Sequence, residues 1–175
     1  MKKFIKKSIG LFIVALIIVA LDQLTKWLVV TNIPYGGSWS PWDWLTPYAR
    51  FVHWSNTGVA FGMLQGMNPV FIGLAVLVSG AIIYYYQQVD RQDWLIRLAL
   101  MMELGGAIGN LVDRIQYGHV VDFVSVGRFP VFNIADACIT VGVVVLLIGV
   151  WVQEKREKNR ILASTNDQAP DEMIN

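Results

Sequence analysis

Two aspartates, Asp122 and Asp136, end a stretch whose other side chains are almost all apolar, aromatic or small, VVDFVSVGRFPVFNIAD (residues 120–136). If this stretch folds back as a hairpin or loop, both carboxylates face one point. Two carboxylates in close contact in a poorly hydrated site hold one proton between them. The ionised member can take a proton from water, while the protonated member donates to a carbonyl oxygen and later to a leaving amine. The pattern indicates amide hydrolysis without a metal ion.

The surroundings of the two carboxylates differ. Asn133 is well placed as the N-cap of a helix, which puts Asp136 in the first turn of that helix. A helix N-terminus favours the charged form of Asp136, whereas the apolar neighbours of Asp122 favour its neutral form. We therefore expect Asp122 to hold the shared proton at rest, although the macroscopic titration belongs to the pair.

The elements that must position this pair are predicted to be membrane-spanning helices. Of 175 residues, 55 % are hydrophobic and only 15 % are charged, which is too apolar for an ordinary soluble domain. A bilayer core about 30 Å thick needs about 20 apolar residues per helix. Four segments come close: about 8–31, 69–87, 94–112 and 134–152. We predict an all-α polytopic membrane protein with four transmembrane helices, a small extracytoplasmic β element and an amphipathic, aromatic loop.

The basic residues are unevenly distributed. Ten of the 14 lysines and arginines lie in the N-terminal tail, in or beside the connection after the second span, or in the C-terminal tail. The positive-inside rule then places both termini in the cytoplasm and both longer loops outside. The basic and apolar N-terminal run imitates a signal peptide, but no small-x-small cleavage site follows Leu21. We interpret this run as an uncleaved first span.

The loop between the first two spans, residues 32–68, is rich in aromatic residues, glycine and proline. It cannot cross the bilayer, because its backbone would lack hydrogen bonds there. Within it, ARFVHWSN (49–56) predicts a short strand that could pair with GVAFGML (58–64). We expect an aromatic platform on the outer membrane surface, the alternative being a simple interface anchor. Residues 1–160 are predicted to form one integral membrane domain, and residues 161–175 a disordered cytoplasmic tail.

Ionisable residues inside the spans are candidate functional positions. Asp22 and Lys26 lie four residues apart on one face of the first helix, and we interpret them as a buried ion pair that orients this helix. Glu103, midway along the third span, predicts an interhelical hydrogen bond.

The run GGAIGNLVDR (105–114) ends the third span. Gly105 and Gly109 form a small-residue face that lets another helix approach closely. The polar residues that follow at the outer end of this helix are Asn110, Asp113 and Arg114.

Other chemistries are poorly supplied. The two histidines and the single cysteine have no ligand-like neighbours, which disfavours a zinc site. A Ser-Lys dyad of Lys26 with Ser55 or Ser125 is conceivable. The sequence shows no glycine-rich loop after a predicted strand that could bind a phosphate group. It also shows no basic, aromatic surface of the kind that binds nucleic acid, so nucleic acid is not expected as a partner. The residues alone favour an aspartyl hydrolase, but they leave open a proton-coupled transporter or channel component and a purely structural membrane subunit.

Several motifs resemble, in order and spacing, the lipoprotein signal peptidases, also called signal peptidase II: DQLTK (22–26), NTGVAF (56–61), GGAIGNLVDR (105–114), and VVDF with FNIAD (120–136). The resemblance covers residues 22–140. It implies a bacterial inner-membrane aspartic endopeptidase, which cuts the signal peptide from prolipoproteins before a cysteine that already carries a diacylglyceryl group. The implied partners are these precursors and membrane lipid, and neither a metal nor another cofactor is expected.

The resemblance also implies roles for individual residues. Asp122 of VVDF and Asp136 of FNIAD match the catalytic pair. Four further residues match family positions that line the active site and hold the backbone of the substrate: Asn56, Asn110, Arg114 and Asn133. The residues that we assign to structural support are Asp22, Lys26, Gly105, Gly109 and Asp113.

Overall fold

The computed structural model describes residues 2–58 and 67–166. These residues form four long helices: α1 (Lys2–Asn32), α2 (Asn68–Tyr86), α3 (Trp94–Tyr117) and α4 (Ile134–Asn166). Each helix contains a stretch long and apolar enough to cross a membrane. The polytopic helical class and the four spans that we predicted from hydrophobicity are therefore confirmed.

Three helices are longer than the hydrophobic pattern predicted, and the first of them, α1, begins at Lys2 instead of about residue 8. α3 runs to Tyr117 instead of about residue 112, and Gly118 ends it in a left-handed conformation with φ of 76°. We expected a disordered tail from residue 161, but α4 continues to Asn166, so residues 161–166 are helical. Residues 167–175 of that expected tail lie outside the described residues. The extension is rich in Glu, Lys and Arg, which prolong a helix well without being apolar.

α3 packs against α1, α2 and α4, and glycines allow the close approach. A Cβ on Gly105 would lie 2.7 Å from the Cβ of Ile18 on α1. A Cβ on Gly106 would lie 2.5 Å from the carbonyl oxygen of Ala135 on α4. Real side chains do not approach so closely, so a larger residue at either position would push the helices apart. The close approach predicted at Gly105 is therefore confirmed for α1, and Gly106, which was not part of the predicted face, allows the same for α4.

Glu103 is not held by the interhelical hydrogen bond that we predicted. Its Oε1 is buried without a hydrogen-bond partner among the described residues. The facing residue of α4 is Gly142, where an added Cβ would lie 2.9 Å from the Cγ of Glu103. The glycine makes room for the glutamate side chain, but it has no side-chain donor to offer.

The two longer connections contribute an antiparallel sheet with the strand order β1 (Ser38–Trp39), β2 (Ala49–Asn56) and β3 (Val120–Val126). β2 coincides with the strand predicted from ARFVHWSN. One edge of β2 pairs with β1 and the other with β3, where Trp54 lies opposite Asp122. The partner that we predicted, GVAFGML, lies almost wholly outside the described residues. We call the end of the bundle that carries this sheet the sheet end.

The chain folds back between β3 and α4. The backbone turns at Gly127, where φ is +52°, and Phe132 then returns alongside Val124. The N–H of Phe132 donates to the carbonyl of Val124 at 3.1 Å, and the N–H of Val124 donates to the carbonyl of Phe132 at 2.8 Å. This return brings Asn133 and the first turn of α4 to Asp122. Residues 120–136 therefore fold back on themselves, which is the arrangement that a shared site for the two aspartates needs.

A hydrophobic cluster holds β3 from behind. Val29 of α1 and Ile33, the residue directly after α1, pack with Phe123 of β3, and all three are buried. Because side chains alternate along a strand, Phe123 faces away from its neighbour Asp122. The cluster therefore fixes the strand on α1 without filling the space in front of the carboxylate.

Candidate active site

The candidate site lies at the sheet end, where β3 meets the start of α4 and the ends of α1 and α3. Asp122 on β3 is 1 % exposed, and Asn133, just before α4, is fully buried. Asp136, in the first turn of α4, is partly exposed. One carboxylate is thus almost sealed, whereas the other can meet a molecule that enters from outside. We call these two residues the aspartate pair.

Asn133 joins the two carboxylates. Its Oδ1 accepts from the backbone N–H of Asp136 at 2.8 Å, which is the N-cap that we predicted. Its backbone N–H donates to Oδ2 of Asp136 at 3.4 Å. Its Nδ2 donates to Oδ1 of Asp122 at 2.8 Å. The same residue therefore starts α4 and ties that helix to β3, and only the first of these contacts is evident in the sequence.

Asn110 on α3 holds Asp136 from the other side. Its Nδ2 donates to Oδ1 of Asp136 at 2.8 Å, while its Oδ1 accepts from Nζ of Lys26 at 3.2 Å and from Nδ2 of Asn133 at 3.1 Å. An ammonium group can only donate, so the carbonyl oxygen of Asn110 must face Lys26. The amide nitrogen of Asn110 is then left to face the carboxylate. The buried lysine therefore sets the orientation of this amide.

Asn56 contacts the other member of the pair. It is the last residue of β2, and its Nδ2 donates to Oδ2 of Asp122 at 3.1 Å. Its own Oδ1 accepts from the N–H of Gly58 at 3.1 Å, which keeps the amide nitrogen turned toward the carboxylate. Both oxygens of Asp122 thus accept hydrogen bonds from side-chain amides.

Arg114 is placed differently from the three asparagines. Its guanidinium carbon lies 5.2 Å from the ring centroid of Phe71 on α2. Its Nη1 donates a long bond of 3.5 Å to the carbonyl of Asn110, and its own carbonyl accepts from Nδ2 of Asn68 at 3.1 Å. Its charge interacts with the aspartate pair at longer range. Arg114 therefore borders the site without clamping either carboxylate.

Burial, and then the negative charge of Asp136, raises the pKa of the Asp122 carboxyl to about 7. The hydrogen bonds from Asn56 and Asn133 favour the charged form, but burial outweighs them. Below about pH 7 Asp122 therefore holds a proton. This agrees with the expectation from the apolar neighbours of that residue.

Comparison with known proteins identifies the family. The family model "Signal peptidase (SPase) II" matches residues 14–152. The chain belongs to the signal peptidase II family. As a member of that family it is an aspartic endopeptidase and a multi-pass protein of a bacterial membrane. The matched range contains every residue that the sequence analysis selected for the site.

Individual relatives agree with the family match. The lipoprotein signal peptidase of Shouchella clausii (strain KSM-K16) is 45 % identical over 148 residues, which are 84 % of this chain and 96 % of that protein. The lipoprotein signal peptidase of Listeria monocytogenes serotype 4a (strain HCC23) is 40 % identical over 154 residues, with the same two coverages of 84 % and 96 %.

Two solved structures of bacterial membrane enzymes, both determined by the in meso method, have a similar fold. One, at 2.3 Å resolution, gives a TM-score of 0.74 at 25 % identity and covers 95 % of this chain and 94 % of its own. The other, at 1.9 Å resolution, gives a TM-score of 0.72 at 28 % identity and covers 81 % of this chain and 92 % of its own. The likeness therefore extends over nearly the whole bundle.

In this signal peptidase II family member, a buried ion cluster lies behind the aspartate pair. Nζ of Lys26 lies 2.7 Å from Oδ2 of Asp22, 2.8 Å from Oδ2 of Asp113 and 3.2 Å from Oδ1 of Asn110. These three contacts use all three ammonium hydrogens. The predicted pair of Asp22 with Lys26 is thus confirmed. Nothing in the sequence indicated that Asp113 would share the same cation.

The two carboxylates of this cluster hold the backbone next to the aspartate pair. Oδ1 of Asp22 accepts from the N–H of Ala135 at 3.0 Å. Oδ2 of Asp113 accepts from the N–H of Val121 at 3.0 Å. Each of these peptide groups comes directly before one aspartate of the pair. The cluster therefore fixes where both aspartates emerge from the backbone.

Sequence reasoning missed two residues at this site. The first is Gln23, which donates from Nε2 to Oδ1 of Asp113 at 2.8 Å. The second is Gly106, where α3 lies so close to Ala135 of α4 that there is no room for a side chain. Gln23 lies three residues before Lys26 and therefore on a neighbouring part of the same helix face, which is a signal that could have been used. Gly106 was hidden because the small-residue face was drawn from spacing of four residues alone.

Proposed function

We propose that this protein removes signal peptides from prolipoproteins by cutting before a cysteine that carries a diacylglyceryl group, with Asp122 and Asp136 as the catalytic pair. The names of the relatives support the substrate class. The observation that carries the choice of residues is that one buried residue, Asn133, donates to both carboxylates, to Asp122 from its side-chain amide and to Asp136 from its backbone N–H. The proposal treats residues 1–160 as one membrane domain, and it requires neither a metal nor another cofactor.

In the resting pair, Asp122 carries the proton and Asp136 is ionised. Asp136 takes a proton from water as the water oxygen attacks the scissile carbonyl carbon, and Asp122 donates its proton to the carbonyl oxygen. The tetrahedral diol then collapses as the C–N bond breaks. The cysteine nitrogen takes the proton from Asp136, and one hydroxyl proton returns to Asp122. The products are a carboxyl group on the signal peptide and a free amine on the modified cysteine.

The proposed substrate-binding residues divide into two kinds. Asn56, Asn110 and Asn133 use their amide nitrogens on the aspartate pair, so their first contribution is to hold the carboxylates in position. Arg114 has five donor hydrogens and, among the described residues, donates one long bond. It is the residue best supplied to bind a carbonyl of the substrate backbone.

The proposed placement in the membrane follows from the basic residues. Ten of the 14 lysines and arginines lie in the tails or in or beside the α2–α3 connection, so both termini are cytoplasmic and the sheet end is extracytoplasmic. The exposed aromatic side chains at the sheet end include Trp39, Trp42, Trp44 and Tyr48. Such side chains favour the membrane interface, where a lipid-anchored peptide reaches the pair sideways from the bilayer.

Cleavage of a diacylglyceryl-modified precursor peptide by the purified protein, followed by gel shift, tests the proposal. Asp122→Asn and Asp136→Asn should each lower the rate by at least about 1,000-fold, because asparagine keeps the shape but cannot exchange the proton. Asp90→Asn is the matched control, since Asp90 is an exposed carboxylate in the α2–α3 connection and should leave the rate unchanged. Substantial activity in either pair variant would refute the assigned residues.

A second comparison tests the substrate class. The same peptide without the diacylglyceryl group should be cut much more slowly by the wild-type protein. Equal rates for both peptides would show that the lipid is not recognised. Uptake of the peptide into vesicles without cleavage would instead support a transport function.

A further inference from the structure

Gln23 contacts both acidic residues of the buried ion cluster. Its Nε2 lies 2.8 Å from Oδ1 of Asp113, 3.2 Å from the carbonyl oxygen of Gly109 and 3.3 Å from Oδ2 of Asp22. The side chain is itself only partly buried, at the edge of α1. It therefore covers the cluster where α1 meets α3, and it does not touch the aspartate pair.

The contact with Asp113 fixes the rotation of that carboxylate. Its Oδ1 is occupied by Gln23, whereas its Oδ2 accepts from Lys26 at 2.8 Å and from the N–H of Val121 at 3.0 Å. Gln23 is the side chain that anchors Oδ1, so without its amide the carboxylate would be held through Oδ2 alone. The carboxylate would then be free to rotate about its own bond, and the hydrogen bond to Val121 would loosen.

We propose that Gln23 is a positioning residue for the aspartate pair: it holds Asp113, which holds the Val121 peptide, which sets the place of Asp122. The inference rests on the proposed function, because it takes Asp122 as a catalytic residue. A displacement of a reacting group by about 1 Å can lower a rate about 100-fold. A residue that contacts neither aspartate of the pair can therefore control the chemical step.

The neutral charge of the glutamine matters as well. Lys26 already favours the ionised form of Asp122. A second cation at position 23 would strengthen that effect and deprive the pair of its shared proton. A carboxylate there would face Asp22 and Asp113 with no hydrogen to donate. An amide supplies the donor without changing the charge, which suits this position.

Kinetics with the lipidated precursor peptide, combined with hydrogen–deuterium exchange, tests the inference. Gln23→Met keeps the length of the side chain and removes the donor. We expect kcat to fall about 10- to 100-fold with KM within about twofold, and the Val121 amide to exchange at least about tenfold faster while the helices keep their protection. Gln23→Glu, which has the same shape but donates nothing when ionised, should lose at least as much kcat.

Thr25→Val is the matched control on the same helix. The Thr25 hydroxyl bonds only to α1 carbonyls, those of Leu21 at 2.8 Å and Asp22 at 2.9 Å, among the described residues. Its loss should change neither kcat nor the exchange of Val121. An equal loss in Thr25→Val, or faster exchange throughout α1 in Gln23→Met, would show a general structural role and overturn the inference. Unchanged kcat or an unchanged Val121 amide in Gln23→Met would also overturn it.

The failure of this inference is distinguishable from failure of the proposed function. Asp122→Asn is measured beside the Gln23 variants. If Asp122→Asn stays active, the catalytic assignment is wrong whatever the Gln23 variants do. If Asp122→Asn is inactive and Gln23→Met is fully active, only the positioning role is wrong.

Discussion

Each end of the helix bundle buries an acidic side chain beside a basic one, but the two ends differ in solvent contact and in net charge. At the end opposite the sheet, Asp93 accepts from Arg156 at 2.7 Å and from Gln153 at 2.9 Å, and the side chain of Arg156 is 34 % exposed. At the sheet end, the side chain of Lys26 is 4 % exposed and shares its single charge between two carboxylates.

The difference separates an ion pair that joins two parts of the bundle from the candidate active site. A one-to-one ion pair whose basic partner reaches water contributes about 0–1 kcal/mol, because solvent competes for the exposed guanidinium of Arg156. A buried group with more negative than positive charge costs free energy unless hydrogen bonds compensate. At the sheet end the compensating donors include the peptide N–H groups of Val121 and Ala135, next to the aspartate pair. The buried cluster thus costs free energy, but its hydrogen bonds to these two peptide groups position the aspartate pair.

Replacing the basic residue at each end by methionine should give the largest difference between the two ends. Lys26→Met leaves Asp22 and Asp113 buried without a counter-charge, so we expect a loss of about 3–5 kcal/mol of stability and no measurable cleavage. Arg156→Met should cost less than about 1 kcal/mol and leave the rate per folded molecule unchanged. Thermal unfolding in detergent and the peptide cleavage assay measure both quantities. Similar losses at the two ends would show that the clusters are equivalent.

Adding one methyl group at each end should give a smaller but sharper contrast. A Cβ on Gly109 would lie 2.9 Å from Oδ2 of Asp22, whereas a Cβ on Gly149 would lie 2.9 Å from Cγ1 of Ile96. Overpacking of this kind costs about 1–3 kcal/mol, so both alanine variants should be destabilised. Only Gly109→Ala should also lower kcat, because it displaces a carboxylate that holds α4. A normal kcat for Gly109→Ala, with its stability reduced, would contradict the positioning role of Asp22.

Patterns local in sequence predicted the spans, the aspartate pair and the N-cap. Apolar length predicted the four spans, and an asparagine three residues before an acidic residue predicted the cap at Asn133. The contacts of the buried cluster could not be predicted in this way. Asp22 accepts from the backbone of Ala135, 113 positions later in the chain, and only the folded bundle brings them together.

Orientation was also beyond the reach of sequence patterns. The amide of Asn110 faces Asp136 because Lys26 occupies its oxygen, which depends on three elements meeting. The same limit explains the error at Glu103, where a polar residue in a span predicted a partner that the facing Gly142 cannot supply. A pattern identifies which residues are unusual, whereas packing decides what they contact.

The pH dependence of kcat/KM, which reports the free enzyme, should reveal the shared proton of the sheet end. The pKa of Asp122 is raised to about 7, so its proton is present below that pH and lost as pH rises through it. The rate should therefore fall by about tenfold per pH unit above 7, because the protonated member of the pair is the required acid. Asp93→Asn, at the opposite end, should leave this profile unchanged. A rate that is flat from pH 6 to 9 would contradict the assignment.

The smallest expected effect concerns stability, and it has the opposite sign to the loss of activity. Because the folded pKa of Asp122 is about 7 and an unfolded aspartate titrates near 3.9, the folded state binds more protons between these values. Stability therefore falls as pH rises through this range. Asp122→Asn removes that penalty and should raise the melting temperature at pH 8 by a few degrees, and by less at pH 5.

Imperfect hydrogen bonding of the new amide sets the size of that gain. Three pKa units correspond to about 4 kcal/mol, but the amide turns one acceptor into a donor that must face Asn56 or Asn133, both of which now donate to it. One of these bonds has to be remade, which offsets about 1–3 kcal/mol of the gain. The informative quantity is therefore the difference between the two pH values, because the lost bond is common to both. If the melting temperature of Asp122→Asn rises no more at pH 8 than at pH 5, ionisation of the buried Asp122 carboxyl does not destabilise the folded protein.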